Sequence, residues 1–589
     1  MKNNKSEHSF FIPVMGIGFT IDSPAKVAHL GVNSTISIVD DGLMEKMREY
    51  YCNKINIPFQ KITKNVEDFR AKRITEYLNI IDKVVDQKYD DFKNTISEKY
   101  EEFKNYLDIL PDSSTLKDKF MSKIKDVHIF DKMKGWVKEN LPLGAIDVNI
   151  MTKLDKTNYK NGEELPIEHN DAHAAFRGFA NSNLESSVVF SAGMNNRLYS
   201  YIENFEDFYP DENNYLKKKI ILKVSDYKSA LIQGKFLAKK GLWVSEYRIE
   251  SGVNCGGHAF ASNASPLGYI LEQFKKSKNC LIDTIQVIYT DGLKAKNKHY
   301  PKAPLDVKVT VQGGVATNEE HEFLMDYYEV DAVGWGTAFL SVPEAVSLDD
   351  STLDLLLESE PKDLYLSEIS PLGIQFNSLK TNTQDVIKHQ KIKDKNPGSS
   401  CSKRYLQFNT EFTEKPICTA SKQYQKLKIA ELNNLNLAKE KYEEKYNQIT
   451  DKSCICTGLG TSSLLVNNLD TKIEGTGVSV CPGPSMAYFS KKSSLVDMIK
   501  HIYGQKNVMT RDKIHMFVVE LQMYLDNFIK EIKNTEVITK REQNKFRKTF
   551  NNLKTGIDYY KELFNKFPKE LKNIKELLEI ENQLLKITY

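Results

Sequence analysis

Three short stretches carry residue types that could do chemistry. The first is Gly313-Gly314 at the end of an apolar run, followed after a helix-like stretch by Gly334-Trp335-Gly336-Thr337 at the end of the next. Glycines let backbone N–H groups approach a phosphate closely, and the Thr337 hydroxyl adds a donor. Two glycine pairs at the tips of consecutive strands therefore predict a phosphate cradle. The second stretch is Asn254-Cys255-Gly256-Gly257-His258, which follows a strand-like run counted as the fifth. A histidine after flexible glycines at a strand end is placed to move a proton near neutral pH. The third is a set of five cysteines, Cys401, Cys418, Cys454, Cys456 and Cys481, in loop-like sequence. Thiolates gathered from loops suit an iron–sulfur cluster or, less well, zinc, since no C-x2-C pair is present. Buried, unligated thiols are the alternative.

Weaker signals accompany these. His169 and His173 are four apart with Asp171 between them, the spacing of a helix-borne metal pair or of an ordinary surface helix. Gly458-x-Gly460 followed by Ser463 echoes a dinucleotide fingerprint, but no clear strand precedes it.

The elements that must position these groups alternate. Ile12–Met15 reads as a short strand, Ser23-Pro24 as a helix start and Ser34–Val39 as another strand. From 141 onward the strand candidates are 144–150, 187–191, 219–224, 242–249, 281–289, 307–311 and 332–335, most of them separated by helical sequence. With Ile12–Met15 the count reaches eight. Strands alternating with helices imply βαβ units and a parallel sheet. Segments 1–42 and 141–350 together make about 250 residues, the usual length of a (β/α)8 TIM barrel. An open doubly wound sheet is the other possibility. In a barrel the two glycine loops would close strands 7 and 8, the fold's usual phosphate site.

Segment 43–140 interrupts this pattern after the first βα unit and is helical. Its apolar positions from Ile74 to Leu107 step by three and four, which predicts one long helix. That helix is either a partner-binding arm or an insertion packed on its own domain. Residues 351–490 read as a loop-rich, cysteine-containing region with a basic loop at 388–403, and 421–450 inside it as helical. Residues 491–589 read as helical to the end, for example Met509–Ile532, and form a cap or a dimerisation surface.

Composition sets outer bounds. The chain has 589 residues with 82 Lys+Arg against 79 Asp+Glu, a net charge of +3. So even a balance argues against nucleic acid as a partner. Eight cysteines are too sparse for a disulfide scaffold. No apolar run is long enough to span a membrane. The start imitates a secretion signal only loosely, because its apolar stretch is short and lacks a cleavage site, so a cytoplasmic location is expected.

Taken in order, Pro13-Val14-Met15-Gly16, Val148-Asn149, Gly256-Gly257-His258, Gly313-Gly314-Val315-Ala316-Thr317 and Gly336-Thr337-Ala338-Phe339-Leu340 resemble the nitronate monooxygenase family. Its members are FMN-dependent (β/α)8 barrels, and flavin enoyl reductases belong to the same superfamily. Ile221-Leu222-Lys223-Val224-Ser225 is similar to the flavin-contacting lysine strand of the polyunsaturated-fatty-acid type. The resemblance covers 10–42 and 141–350. It implies an FMN-dependent oxidoreductase, of monooxygenase or enoyl reductase type, with hydride transfer at flavin N5.

By the same resemblance, Met15, Gly16 and Gly257 would lie against the flavin. Asn149 and Lys223 would bond its ring or ribityl chain, a cation there stabilising anionic reduced flavin. Gly313, Gly314, Gly336 and Thr337 would hold the phosphate, and His258 would be the acid/base. NAD(P)H as donor and an acyl carrier as partner are expectations of the enoyl reductase version, and a homo-oligomer is a separate expectation. A non-enzymatic scaffold using the helical regions is the rival from a different class. Asn254-Cys255 stands where many relatives have Glu-Ala, which bears on the substrate more than on the flavin.

Overall fold

The computed structural model describes residues 7–191, 193–260, 264–535, 537–567 and 573–587. The first six residues of the signal-like start and parts of the C-terminal helical region lie outside these. Eight parallel strands close into a barrel: β1 (Phe10–Ile12), β2 (Asn33–Ser37), β3 (Ile146–Ile150), β4 (Ser187–Phe190), β5 (Lys219–Val224), β6 (Val244–Glu250), β7 (Lys308–Gln312) and β8 (Ala332–Gly334). Each strand pairs with its sequence neighbours, and β8 returns to β1 with Val333 opposite Phe10. The fold is a TIM barrel, not an open sheet.

Two departures from the sequence expectation cancel in the strand count. Asn33–Ser37 is a barrel strand that the count omitted, and 281–289 is not a strand. It lies inside a helix, Leu267–Ala295. The β-branched residues Ile282, Ile285, Val287 and Ile288 suggested a strand, but burial follows the helical period through Leu281, Ile285, Tyr289 and Leu293 while Val287 faces solvent. The loop bearing His258 accordingly follows the sixth strand, not the fifth.

Segment 43–140 enters between β2 and β3. Its long helix, Phe69–Glu98, breaks at Lys99, whose extended backbone starts a second helix at Tyr100–Asp108. The apolar stripe is spent inside the chain: Ile74, Tyr77, Leu78 and Ile81 are buried, Tyr77 donates to Ile21 O at 2.8 Å, and Gly178 sits against Ile74. The helix covers the barrel wall with this stripe.

Beyond the barrel, a two-stranded antiparallel sheet forms from β9 (Leu364–Ser367) and β10 (Phe376–Leu379). The basic stretch 388–403 is a loop only in its second half, because Thr383–Lys393 is helical. A buried helix at Ile455–Val466 stands where loops were expected. Gly18 lies against Gly460 and Ser463 of this helix, and Gly458 against Ser479. These glycines serve close packing, which explains the false echo of a dinucleotide fingerprint. Leu495–Ile502, Met516–Asn534, Lys540–Lys566 and Ile574–Leu585 complete the C-terminal helices. They cap the chain's own barrel: Tyr560 accepts from Gly268 N at 2.9 Å, and Asn254 Nδ2 donates to Met516 O at 2.9 Å. Apolar residues of all these segments join one contiguous core. Among the described residues no helix is long and apolar enough to cross a membrane.

Candidate functional site

The C-terminal ends of the barrel strands open into a cleft of about 220 Å3. All ten residues expected to bind the cofactor or do chemistry line it: Met15, Gly16, Asn149, Lys223, Gly257, His258, Gly313, Gly314, Gly336 and Thr337. A larger cavity of about 950 Å3 lies at the opposite, N-terminal end, among Ile146, Ser187, Lys219 and Lys308. It lacks glycine loops, and barrel chemistry sits at the C-terminal face.

Strand ends and loops set each group in place. Asn149 is on β3, and Lys223 is on β5, where its ammonium pairs with Glu250 Oε1 at 3.0 Å. Glu250 ends β6 and also accepts from Gln312 Nε2 at 2.6 Å. The Gly313-Gly314 loop needs glycine for two reasons. Both residues have positive φ, +112° and +95°. A Cβ on Gly313 would lie 2.6 Å from Cys255 Sγ, and one on Gly314 would lie 2.6 Å from Asn254 Nδ2. Burial, reinforced by Glu250, raises the Cys255 thiol far above its usual range, so it stays protonated.

The loop after β6 is held from outside the barrel. Glu520 Oε1 accepts from Ser251 Oγ at 2.5 Å and its Oε2 from Leu267 N at 2.7 Å. Burial raises the Glu520 carboxyl to about 7. Asn377 donates to Val253 O and Cys255 O, at 3.1 and 2.6 Å. His258 Nε2 is 2.7 Å from Ser370 Oγ, and its ring meets Phe376 edge-on at 5.0 Å. Burial lowers the His258 pKa from 6.5 to about 4. The imidazole is therefore neutral at physiological pH. It can accept a proton or donate a hydrogen bond from the neutral ring, and it is a weak source of protons.

Part of the cleft wall comes from the far end of the chain. Thr337 Oγ1 accepts from Gly483 N at 3.1 Å, and a Cβ on Gly256 would lie 2.3 Å from Cys481 O. Leu372, Ile374, Phe376, Tyr405, Leu406 and Ile455 also face the cavity. Sequence reasoning gave Glu250 no role, noted Asn254 only as a departure from the family pattern, and missed Ser370 and Glu520. Glu250 was findable as the polar end of a barrel strand, whereas Ser370 and Glu520 arrive from segments with no local signal.

Two buried amide oxygens at the cleft, Asn149 Oδ1 and Asn254 Oδ1, have no hydrogen-bond partner among the described residues. A Cβ built on Gly257 meets nothing within 4 Å. Unsatisfied acceptors beside open space fit a bound molecule carrying N–H or O–H donors. The glycine amides and Lys223 fit one that is also anionic.

The expected metal groups separate. Cys401, Cys418, Cys454 and Cys456 come together, and all are buried. Cys481 faces the barrel, where its Sγ accepts from the Gly16 and Gly257 amides. Among the described residues no group of three or more His, Cys, Asp or Glu is arranged to hold a metal ion. His173 pairs with Asp155 at 2.8 Å and His169 lies 4.0 Å from Asp68, so the two histidines share no ion.

No known family profile and no curated protein matches the chain. Among solved structures it is similar to FabK from Thermotoga maritima, at 13% identity over 65% of this chain and 82% of that one, with a TM-score of 0.31. It is also similar to the enoyl reductase domain of MlnA from the macrolactin biosynthesis cluster of Bacillus amyloliquefaciens, at 13% identity over 69% and 86%, with a TM-score of 0.31. Similarity of this degree carries no argument about activity. The class of architecture, a TIM barrel with helical additions, rests on the closed eight-strand sheet itself.

Proposed function

We propose that the chain is an FMN-dependent oxidoreductase whose substrate binds in the cleft at the C-terminal face of the barrel. The observation that carries this is the convergence on one cleft of ten residues drawn from six separate stretches of sequence, beside two unpartnered amide oxygens. Gly313, Gly314, Gly336 and Thr337 would hold the phosphate through amides and a hydroxyl. Asn149 and Lys223 would meet the ring or ribityl chain, and Met15, Gly16 and Gly257 would flank the ring. When bound, FMN supplies hydride chemistry at N5.

The chain's own residues do the rest. Glu250 and Gln312 fix the Lys223 ammonium, so its charge is directed rather than mobile. Ser370 engages Nε2 of His258 and leaves Nδ1 to exchange a proton with substrate or to hydrogen-bond a substrate oxygen. Phe376 and the Ser370 contact hold the ring in one orientation. Because burial keeps His258 neutral, proton removal from an acidic carbon and polarisation of a carbonyl are its natural tasks.

The apolar wall formed by Phe260, Leu340, Leu372, Ile374, Phe376 and Leu406 favours an acyl-chain substrate over a small nitronate. An enoyl reductase version follows, with NAD(P)H as hydride donor and an enoyl thioester as acceptor, neutral His258 polarising the thioester carbonyl while the α-carbon takes its proton from solvent. Anaerobic mixing of the FMN-loaded protein with NADPH, and separately with a nitronate, distinguishes the two. Bleaching of the flavin by NADPH and reoxidation by an enoyl thioester support the reductase. Bleaching by the nitronate alone replaces it, and a chain that binds no FMN removes the proposal.

A further inference from the structure

One wall of the cleft comes from a segment the barrel does not supply. Residues 481–485 belong to the C-terminal region, yet Cys481 and Ser485 line the same cavity as the glycine tips of β7 and β8. Main-chain contacts hold this segment at both ends of an arc. A Cβ on Gly256 would collide with Cys481 O, and one on Gly483 would lie 2.8 Å from Asn254 O, so the segment rests directly on the backbone of the loop after β6. Glycine on both sides permits so close an approach. At the other end Gly483 N donates to Thr337 Oγ1, after β8, at 3.1 Å. The turn that follows, Pro484–Tyr488, packs on the turn Thr337–Ser341. Strands β6, β7 and β8 are neighbours in the barrel. A segment tied to the loops after β6 and β8 therefore spans the tip of β7, where Gly313 and Gly314 sit.

Two hydroxyls on this arc have a proton to give. A hydroxyl offers one donor and two acceptor positions. Thr337 Oγ1 uses an acceptor position on Gly483 N, and its own proton goes to no other described residue. The Gly483 amide thus turns a lone pair toward the segment and leaves the O–H for another acceptor. Ser485 is 2% exposed and lines the cleft, and its hydroxyl meets no hydrogen-bond partner among the described residues. A buried hydroxyl without a partner costs free energy until a ligand completes it. These two donors and the amides of the glycine loops suit an anion with several acceptor oxygens. No acid opposes it: Glu250 is the one carboxylate among the described residues that line the cleft, and it is engaged by Lys223 and Gln312.

We propose that residues 481–485 form a third wall of the phosphate site, in which Ser485 donates its hydroxyl to the phosphate of the flavin mononucleotide and Gly483 is a positioning residue that aims the Thr337 hydroxyl at the same group. This rests on the flavin reading above and adds a specificity to it: the segment makes the cleft select the phosphorylated flavin over riboflavin. In this fold the loops after β7 and β8 ordinarily suffice to hold a phosphate. Here a stretch 146 residues beyond Thr337 shares the task, which ties the C-terminal region to cofactor choice as well as to the capping of the barrel.

The test titrates the full, flavin-free chain with FMN and, separately, with riboflavin, and reads quenching of flavin fluorescence. The unmodified chain is expected to prefer FMN. Ser485→Ala should weaken FMN binding by about 10- to 150-fold, the loss of one hydrogen bond to a charged group, and leave riboflavin binding unchanged. Ser485→Thr keeps the hydroxyl and should retain the affinity for FMN. Gly483→Ala sets a Cβ 2.8 Å from Thr337 Oγ1 and should lower the preference for FMN in the same direction. Riboflavin binding reports the folding of each variant. If Ser485→Ala does not fold, Ser485→Cys, similar in shape but a weak donor, should show the same selective loss. A Ser485 variant that keeps the unmodified preference for FMN, or that loses both flavins alike, overturns the proposal and leaves the flavin reading standing. An unmodified chain that binds both flavins equally overturns it too. A chain that binds neither overturns the flavin reading itself, and this proposal with it.

Discussion

Replacing Gly314 by alanine tests the proposed phosphate cradle at a point where the backbone and a neighbouring side chain both demand glycine. At φ +95° an alanine is strained by about 1–2 kcal/mol. Its Cβ would also press on Asn254 Nδ2, 2.6 Å away, which is tied to Met516 O. Losing that bond adds about 1 kcal/mol, for a total near 2–3 kcal/mol of stability. Gly162 provides the control, because it has φ +92° but open space where the Cβ would go. Gly162→Ala should cost only the backbone term. The variants separate further in FMN binding. Pushing the loop aside removes one charge-assisted hydrogen bond, worth about 1.5–3 kcal/mol, or roughly 10- to 150-fold in Kd. Denaturant titration gives the stabilities and quenching of flavin fluorescence gives Kd. If Gly314→Ala binds FMN within about threefold of the unmodified chain while unfolding like Gly162→Ala, the loop does not hold the phosphate.

Other outcomes follow from the same structure. His258→Gln should lower turnover by about 10²–10⁴-fold with FMN affinity unchanged; steady-state turnover close to normal would remove His258 from the chemistry. Lys223→Met leaves the Glu250 carboxylate without its cation and should destabilise by about 2–4 kcal/mol. Adding Glu250→Gln should recover much of that stability without restoring flavin reduction, and a double variant no more stable than the single one argues against the pairing. His8, His29, His258 and His321 are each lowered by burial from 6.5 to about 4, so the folded chain binds fewer protons than the unfolded one between those values. Their contribution is whole above pH 6.5 and is lost as pH falls toward 4, and a melting temperature flat from pH 7 to pH 5 would contradict it. Glu520 has the opposite sign: its carboxyl is raised from 4.5 to about 7, so its contribution is whole below pH 4.5 and lost as pH rises toward 7. Glu520→Gln should therefore remove that loss, and a stability profile unchanged by the substitution between pH 5 and pH 7 would show that the carboxyl titrates normally.

The glycine tips and the Gly-Gly-His loop were legible in the sequence because their chemistry is local, whereas a role for Lys223 was implied only by the family resemblance. A backbone that must bend at positive φ or approach a neighbour closely admits little but glycine, and a strand fully buried on both faces reads as an apolar run. So 219–224, 307–311 and 332–335 were found nearly to the residue. Where β-branched content and helical period disagreed, as at 281–289, local composition misled. The period was the better guide, because burial against the barrel decides the helix. The Ile455–Val466 helix escaped notice because Gly458, Gly460 and Ser463 look like loop residues until another segment is packed against them.

What the sequence determined by itself was the order of strands and the residue types at their tips. Which cysteines keep company, what orients His258, and how the C-terminal helix grips the sixth-strand loop were decided only by tertiary structure. Ser370 lies 112 residues from His258 and Glu520 lies 269 from Ser251. Contacts across such separations leave no periodicity behind, since they are selected by the shape of the closed barrel and the segments folded over its mouth, not by the neighbours each residue has along the chain.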